Sequence, residues 1–461
     1  MSTTTEHTTA ISAWAADVPL ALHRMSMPYA QDPIQTAVAL VTAGIGDPYV
    51  LYERAGVVHV AAGASAVLRA SATHLTAHTA DGAWTIPTAG RPLDRIAEAL
   101  QALAQAQQDG RRAYGWATFE LAHQLHGRDA GEDTLVHLFL PCVEVALSPG
   151  RATVRATDAD WQRKAADLLT TAPSHHAPAP GTRPDSDMTA ADPSHYREAV
   201  AEIIEDIRAG RLDKAVLSRS VPLGHIPVDL PATYLAGRAA NTPARSFLLD
   251  LGGWQAAGFS PETVVEVGPD GRVATQPLAG TRALGPDTGE NERLRRELLA
   301  DPKEVHEHAI SVRLACREIA EVCRPDSVVV EEFMEVKERG SVQHLASMVS
   351  GKLRDDLGPW DALGALFPAV TATGVPKRQA LAALSRYEDG PRGLYGGAVI
   401  TADTDGALDA ALVLRTIFHR GSTTWLRAGA GIMGGSTPER EFEETREKLR
   451  SVAPYIRRPG E

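Results

Sequence analysis

Gly268-Pro-Asp-Gly271 separates two short alternating runs, 263–267 and 272–275, and so predicts a tight hairpin. Strands joined in this way run antiparallel, which excludes a fold made of strict βαβ units. Further strands are read at 213–221, 247–251, 328–336, 341–353, 397–401 and 408–418. A helix is read at 193–209, with Tyr196, Val200, Ile203 and Ile207 facing inward and Gly210 stopping it. A long helix at 301–323 opens on Asp301 and Glu304, a capping-box pattern, and a last one opens on Thr437 and Pro438. In the first half, strands at 49–52, 56–61 and 135–147 accompany a helix at 93–107, and no chemical motif stands out. Mixed elements without regular alternation predict class α+β.

The 46 basic and 58 acidic residues of this 461-residue chain make nucleic acid an unsuitable partner. An acidic protein that handles an anionic metabolite needs local compensation, from a bound cation or from a few placed Arg and Lys residues. Three cysteines, Cys142, Cys316 and Cys323, lack metal-ribbon spacing and point to a reducing compartment, with Cys316 and Cys323 as core filling. The first residues lack the charged and apolar regions of a signal peptide, and no apolar stretch suits a membrane span, so the expected location is cytoplasmic without membrane contact. A run rich in proline and small polar residues, 171–187, marks the one compositional break.

The last helix places Glu441, Glu444 and Lys448 at i, i+3 and i+7, a stripe beside the buried face of Phe442, Leu449 and Val452. Neighbouring carboxylates repel, and a shared cation is the usual remedy. Just upstream, 429–434 reads Gly-Ala-Gly-Ile-Met-Gly, a literal GxGxxG with too little chain after it for a dinucleotide-binding unit. It is either a glycine turn or a set of amides for a carboxylate. His306 and His308 point apart on their helix and cannot share a metal, whereas Glu307 shares a face with Ile310 and Leu314. Lys214, in step with Val216 and Ser218, is a surface lysine with a buried stem or a base deprotonated by burial. Glu262 stands at a turn entering a strand, where it can be structural or a raised-pKa acid. His344 alternates with apolar neighbours as a core histidine does, while Arg415 inside the run 411–418 needs an anionic partner.

In order along the chain stand Leu212-Asp-Lys-Ala-Val-Leu-Ser-Arg219, Gly258-Phe-Ser-Pro-Glu262, Pro277-Leu-Ala-Gly-Thr-Arg282, Lys303-Glu-Val-His-Glu-His308, Gly340-Ser-Val-Gln-His344, Phe367-Pro-Ala-Val-Thr371 and Gly393-Leu-Tyr-Gly-Gly397. With Arg427-Ala-Gly-Ala-Gly431 and Glu439-Arg-Glu-Phe-Glu-Glu444, they resemble the chorismate-utilising enzymes, the family of anthranilate, aminodeoxychorismate, isochorismate and salicylate synthases. The resemblance is nearest to the salicylate-forming members. It implies an anthranilate synthase component I-like fold of class α+β, with two large, mostly antiparallel sheets packed together and helices outside. The chain then divides into an N-terminal extension (1–45), an N-terminal half (46–170), an exposed loop (171–192) and a C-terminal half carrying the site (193–455), as one structural unit.

The resemblance further implies magnesium at Glu307, Glu441 and Glu444, and chorismate held by Gly280, Thr281, Tyr395, Arg415, Gly429, Gly431 and Lys448. Lys214 matches the lysine base of members that add water, so no amidotransferase subunit is expected, and a monomer is. Ala279 stands where aminodeoxychorismate synthases carry a nucleophilic lysine, so that covalent route is missing. The implied chemistry is water addition at C2 assisted by Lys214 and loss of the C4 hydroxyl assisted by Glu262. Pyruvate elimination to salicylate follows, with His344 and Thr371 associated with that second step. Rival readings are an isochorismate synthase that stops after the first step, an aminating homologue and a catalytically silent scaffold. The family's usual product destination is a siderophore or another aryl-capped secondary metabolite. Departures are Gln276, where an acid is expected, and Gly434-Gly435 in place of a more acidic stretch.

Overall fold

The computed structural model describes residues 2–19, 22–106, 110–171, 189, 195–224 and 226–460, the side chains of residues 2–8 excepted. Two strands organise everything else. Val57–Ala70 pairs through its first half with Tyr49–Arg54 and through its second half with His74–Thr79, with a register slip between Ala64 and Ala66. Its neighbour Val136–Ser148 pairs through its first residues with Arg112–Ala117 and through its last with Gly150–Ala156. Each long strand therefore begins in one sheet and ends in another, and both sheets grow outward from this shared pair.

The first sheet runs from His23–Tyr29 and Gly150–Ala156 through the shared strands to Tyr49–Arg54, Arg245–Leu251, Trp254–Ser260, Thr416–Arg420, Thr423–Ile432, Lys214–Pro222 and Gly374–Val375. The second runs from Ala83–Pro87 and His74–Thr79 to Arg112–Ala117, Ala398–Asp403, Leu408–Leu412, Thr263–Val267, Arg272–Thr275 and Val342–Lys352. Leu278–Ala283 and Val329–Arg339 complete it, both paired with Val342–Lys352. Every pairing among the described residues is antiparallel, as the hairpin signal requires.

Alternation sorts the side chains into layers. Val50, Tyr52, Phe247, Leu249, Tyr114, Trp116, Val399 and Phe418 meet between the sheets. Opposite faces of the same strands, Leu51 and Leu248 in one sheet and Ala398 and Leu412 in the other, pack against outer helices. The helices end where their residues dictate. Asp229 caps Leu230–Ala240 by accepting from Ala232 N, and Gly210, at a φ of +72°, turns the chain after Tyr196–Arg208.

The structure departs from the sequence reading in four ways. The run 408–418 is two strands in different sheets, because Arg415 adopts a left-handed φ of +50° and the chain changes sheet there. The capping box at Asp301 is half made: Asp301 accepts from Lys303 N, but Glu304 turns away to accept from Thr281 N. Strands His23–Tyr29, His74–Thr79, Ala83–Pro87, Arg112–Ala117 and Gly150–Ala156 and helix Thr288–Ala300 carry too weak a pattern to be read in advance. Residues assigned to an N-terminal extension are built into the fold, with Trp14 fully buried and His23–Tyr29 paired in a sheet. Of the expected loop 171–192, all but Thr171 and Thr189 lie outside the described residues, and the Thr189 carbonyl accepts from buried Arg219 at 2.7 Å. No helix among the described residues is long and apolar enough to cross a membrane.

The burial of Trp14 makes the first helix part of the core. Trp14→Ala is expected to cost about 3 to 5 kcal/mol, the usual range for emptying a buried tryptophan site. Thermal unfolding that leaves the melting temperature unchanged would refute this.

Candidate active site

The chain crosses between sheets at two neighbouring places, and each crossing carries a charged side chain. Trp254–Ser260 of the first sheet passes through Pro261 and Glu262 into Thr263–Val267 of the second. Leu408–Leu412 of the second passes through Arg415 into Thr416–Arg420 of the first. The crossings are stitched together: Leu412 N donates to Glu262 O at 3.2 Å, Phe259 N to Arg415 O at 3.2 Å, and Ser260 Oγ to Leu412 O at 2.5 Å. Here the sheets part, leaving a cavity with a free volume of about 60 Å³.

Of the residues singled out from sequence, the cavity wall holds Glu262, Gly280, Thr281, Glu307, His344 and Thr371, together with Tyr395, Arg415, Gly429, Gly431, Glu444 and Lys448. Lys214 and Glu441 stand directly behind that wall. The Lys214 ammonium is buried, 2.9 Å from Glu307 Oε1 and 3.2 Å from Ser311 Oγ. Gly431 makes this pairing sterically possible, since a Cβ there would lie 2.1 Å from Glu307 Oε1. A Cβ on Gly429 would lie 3.0 Å from the Tyr395 hydroxyl, so this strand has to be bare where it borders the cavity.

Glu262 is 2% exposed, and burial pushes its carboxyl up to about 7. Hydrogen bonds from Thr371 Oγ1 at 2.5 Å and Leu278 N at 2.8 Å work against that rise without cancelling it. Arg415 is the converse case. Burial and then nearby Arg339 lower its guanidinium to about 9, and its hydrogen bonds go to the Arg339 carbonyl and to His344 Nε2. A guanidinium only donates, so His344 Nε2 accepts and the ring proton resides on Nδ1, 3.1 Å from Thr281 Oγ1. Burial, then Arg415 and Lys448, hold this imidazole well below its ordinary pKa, so it is neutral. Arg415 thus reaches the cavity without a carboxylate partner among the described residues, its backbone in a conformation rare for a side chain of its size.

Four glutamates gather on the other side. Glu304 and Glu307 come from helix Pro302–Val322, Glu441 and Glu444 from helix Pro438–Leu449. Lys303 lies among them, 3.1 Å from Glu441 Oε1 and 3.4 Å from Glu304 Oε1. Burial alone would lower the Lys303 pKa, but Glu307, Glu441, Glu444 and Glu304 together raise it. Lys448 bonds Glu444 Oε1 at 2.8 Å and the Gly429 carbonyl at 2.9 Å. Burial and its neighbour Glu444 push Glu441 up; Glu444, also subject to burial, is instead held down by Lys448, Lys303 and Arg440. Glu441 Oε2 is buried with no hydrogen-bond partner. Among the described residues no three acidic, imidazole or thiol groups stand close enough to form a ready metal cage. The donor set nevertheless suits a hard cation: four carboxylates around one ammonium, with one oxygen unsatisfied.

Sequence reasoning gave no site role to Lys303 or Ser311, and read Glu304 only as half of a helix cap. The available signal was the repeated spacing: Glu304 and Glu307 are three apart, as Glu441 and Glu444 are. Ser311 leaves no such signal, being one of many small polar residues on a helix.

Comparison with known proteins bears on the family and the fold. Residues 47–454 match the family model described as chorismate binding enzyme. A salicylate synthase of Mycolicibacterium paratuberculosis is 40% identical over 463 residues, covering 99% of each chain. The crystal structure of anthranilate synthase component I from Streptococcus pneumoniae has a TM-score of 0.72 at 25% identity, covering 87% of this chain and 92% of that one. The menaquinone-specific isochorismate synthase from Escherichia coli shares the fold, with a TM-score of 0.71 at 22% identity over 99% and 100% of the two chains.

Glu262 carries a stability consequence with a definite sign. Its folded-state pKa is raised, so the contribution of its protonated form is complete below about 4.5 and is lost as pH climbs through about 7. Above that, keeping the charge buried costs about 3 kcal/mol, at 1.36 kcal/mol per pKa unit. Glu262→Gln should therefore raise the melting temperature at pH 8 relative to the parent protein, by a margin that shrinks at pH 5. A margin independent of pH would contradict the assignment.

Proposed function

This chain belongs to the chorismate-binding enzyme family, and from that premise we propose that it is a salicylate synthase, converting chorismate through isochorismate to salicylate and pyruvate. One observation carries the reading. A buried lysine and a carboxyl poised to hold its proton near neutral pH lie in one seam with an arginine that makes no ion pair among the described residues. The full-length relationship to a salicylate synthase supports it.

In this reading Arg415, Tyr395 and the amides of Gly429 and Gly431 hold the enolpyruvyl carboxylate, with Gly280 and Thr281 lining the ring. The Lys214 amine takes a proton from water for attack at C2, which requires its pairing with Glu307 to open and its ammonium proton to be released to solvent beforehand. Glu262, protonated and oriented by Thr371, donates to the departing C4 hydroxyl. Isochorismate then needs its enolpyruvyl group folded over the ring for hydrogen transfer and loss of pyruvate. For that step Arg415, fixed by neutral His344, does positioning work. Substrate entry has to widen a cavity of about 60 Å³, which means exchanging partners with the ion pairs that border it.

Magnesium fits the carboxylate set, with Glu307, Glu441 and Glu444 as its ligands and Glu304 beside them, and when bound it supplies the charge that holds the ring carboxylate. Lys303 now fills the role of counter-ion there. Removing that ammonium in Lys303→Gln should tighten magnesium binding by at least about tenfold in calorimetry, since one positive charge no longer competes. The same variant without magnesium should melt at a lower temperature. Unchanged affinity would show that Lys303 and the ion do not share the site.

Purified protein given chorismate and magnesium is expected to yield salicylate, followed by fluorescence, with one pyruvate for each. Lys214→Gln should lower the rate by about 10² to 10⁴, the usual worth of a positioned base. Isochorismate that accumulates without pyruvate would restrict the reaction to its first half. Full turnover by Lys214→Gln would remove the proposed base.

A further inference from the structure

A second cavity, of about 850 Å³, opens at another edge of the seam between the sheets. Among the described residues its lining shares only Arg427 with the site above. No step of the proposed chemistry uses it.

Its walls are aromatic. Trp254 and Trp425 meet edge to face with ring centroids 5.9 Å apart, and Trp425 stacks on Phe418 at 5.6 Å. Trp116, from the opposite sheet, packs edge-on to His137 at 5.3 Å and donates its indole proton to the Leu251 carbonyl at 3.1 Å. The Arg420 guanidinium lies over the Trp254 ring, 4.7 Å from its centre. Trp116 and Trp254 line the opening from the inter-sheet core, nearly fully buried, whereas Trp425 remains half-buried.

The charges are uneven. Arg392 and Arg427 are neutralised by Glu388. The Glu120 carboxylate is engaged by Arg392 N at 2.8 Å and Gly393 N at 3.1 Å. Arg69 and Arg420 have no carboxylate partner among the described residues; Arg69 has only a long contact of 3.4 Å to His137 Nε2. That histidine cannot compensate, because it is buried and uncharged. Asp133 and Asp389 lie exposed at the rim and pair with neither arginine.

We propose that this cavity is a second ligand site for a planar aromatic carboxylate, with the ring among Trp116, Trp254 and Trp425 and the carboxylate on Arg69 and Arg420. Flat π-faces favour a planar ring, and unpaired guanidinium groups favour a carboxylate over a neutral or cationic substituent. The volume lies within the usual range for small-ligand pockets.

The test is calorimetric titration of the full-length protein with 2-naphthoate, a planar carboxylate whose location the variants below decide between the two cavities. Saturable binding is expected, weakened at least about tenfold in Arg420→Gln, the worth of one charge-assisted hydrogen bond. Trp254→Leu should weaken it similarly, while Arg415→Gln should leave it unchanged. Arg420 is exposed, so its replacement does not threaten folding. Absence of binding would overturn the proposal. So would loss of binding in Arg415→Gln but not Arg420→Gln, which would locate the ligand in the first cavity. Equal affinity for 2-naphthylmethanol would reduce the site to an apolar hole and overturn it as well.

Discussion

Two sheets that share a pair of long strands must part somewhere, and the chain must cross the gap wherever a strand ends in one sheet and the next begins in the other. At those crossings the ladder of backbone hydrogen bonds is interrupted, and what replaces it sets the chemistry. Here the crossings at Glu262 and Arg415 are locked to each other by backbone bonds. The acid and the arginine are therefore held by the main chain itself, before any side-chain packing is considered.

Around this seam the protein buries a cluster of charged side chains, and almost all of them are paired. Lys214 with Glu307, Lys448 with Glu444 and Lys303 with Glu441 each set an ammonium against a carboxylate. Such pairs return little net stability after desolvation. Their value lies in keeping charges at fixed places in a low-dielectric space where a ligand can exchange partners with them. The exceptions to pairing among the described residues matter most: Arg415 without a carboxylate ion pair, Glu441 with an idle oxygen, and Glu262 able to hold its proton near neutrality. An acidic protein thereby presents local positive charge to an anionic metabolite.

Much of this was legible in the sequence. The turn at Gly268 to Gly271 announced the antiparallel class, and ordered motifs from Leu212 to Glu444 announced the family. Residues with a fixed neighbour on the same helix or strand, such as Glu441 with Glu444, were readable as stripes. Residues defined by a crossing were harder. The run from Leu408 to Phe418 looks like one strand because its composition is continuous, and only the left-handed backbone at Arg415 divides it. Glu304 looked like half of a helix cap because its spacing from Asp301 is right, whereas the Thr281 amide and Arg282 compete for it from a distant strand. The short strands of the first half carry no apolar alternation strong enough to be seen. His74–Thr79, Arg112–Ala117 and Gly150–Ala156 exist because the long shared strands offer them a ladder to join, and Ala83–Pro87 and His23–Tyr29 add onto the first and last of these.

Those shared strands also constrain the protein's history. Since Val57–Ala70 and Val136–Ser148 each serve two sheets, neither sheet can be excised with its own hydrophobic interior intact. Gene fission, or exchange of one sheet with a relative, would leave unpaired edges and open cores on both products. Change in such a chain is easiest as point substitutions in the seam and as insertions at the loops, which leave the shared ladder intact.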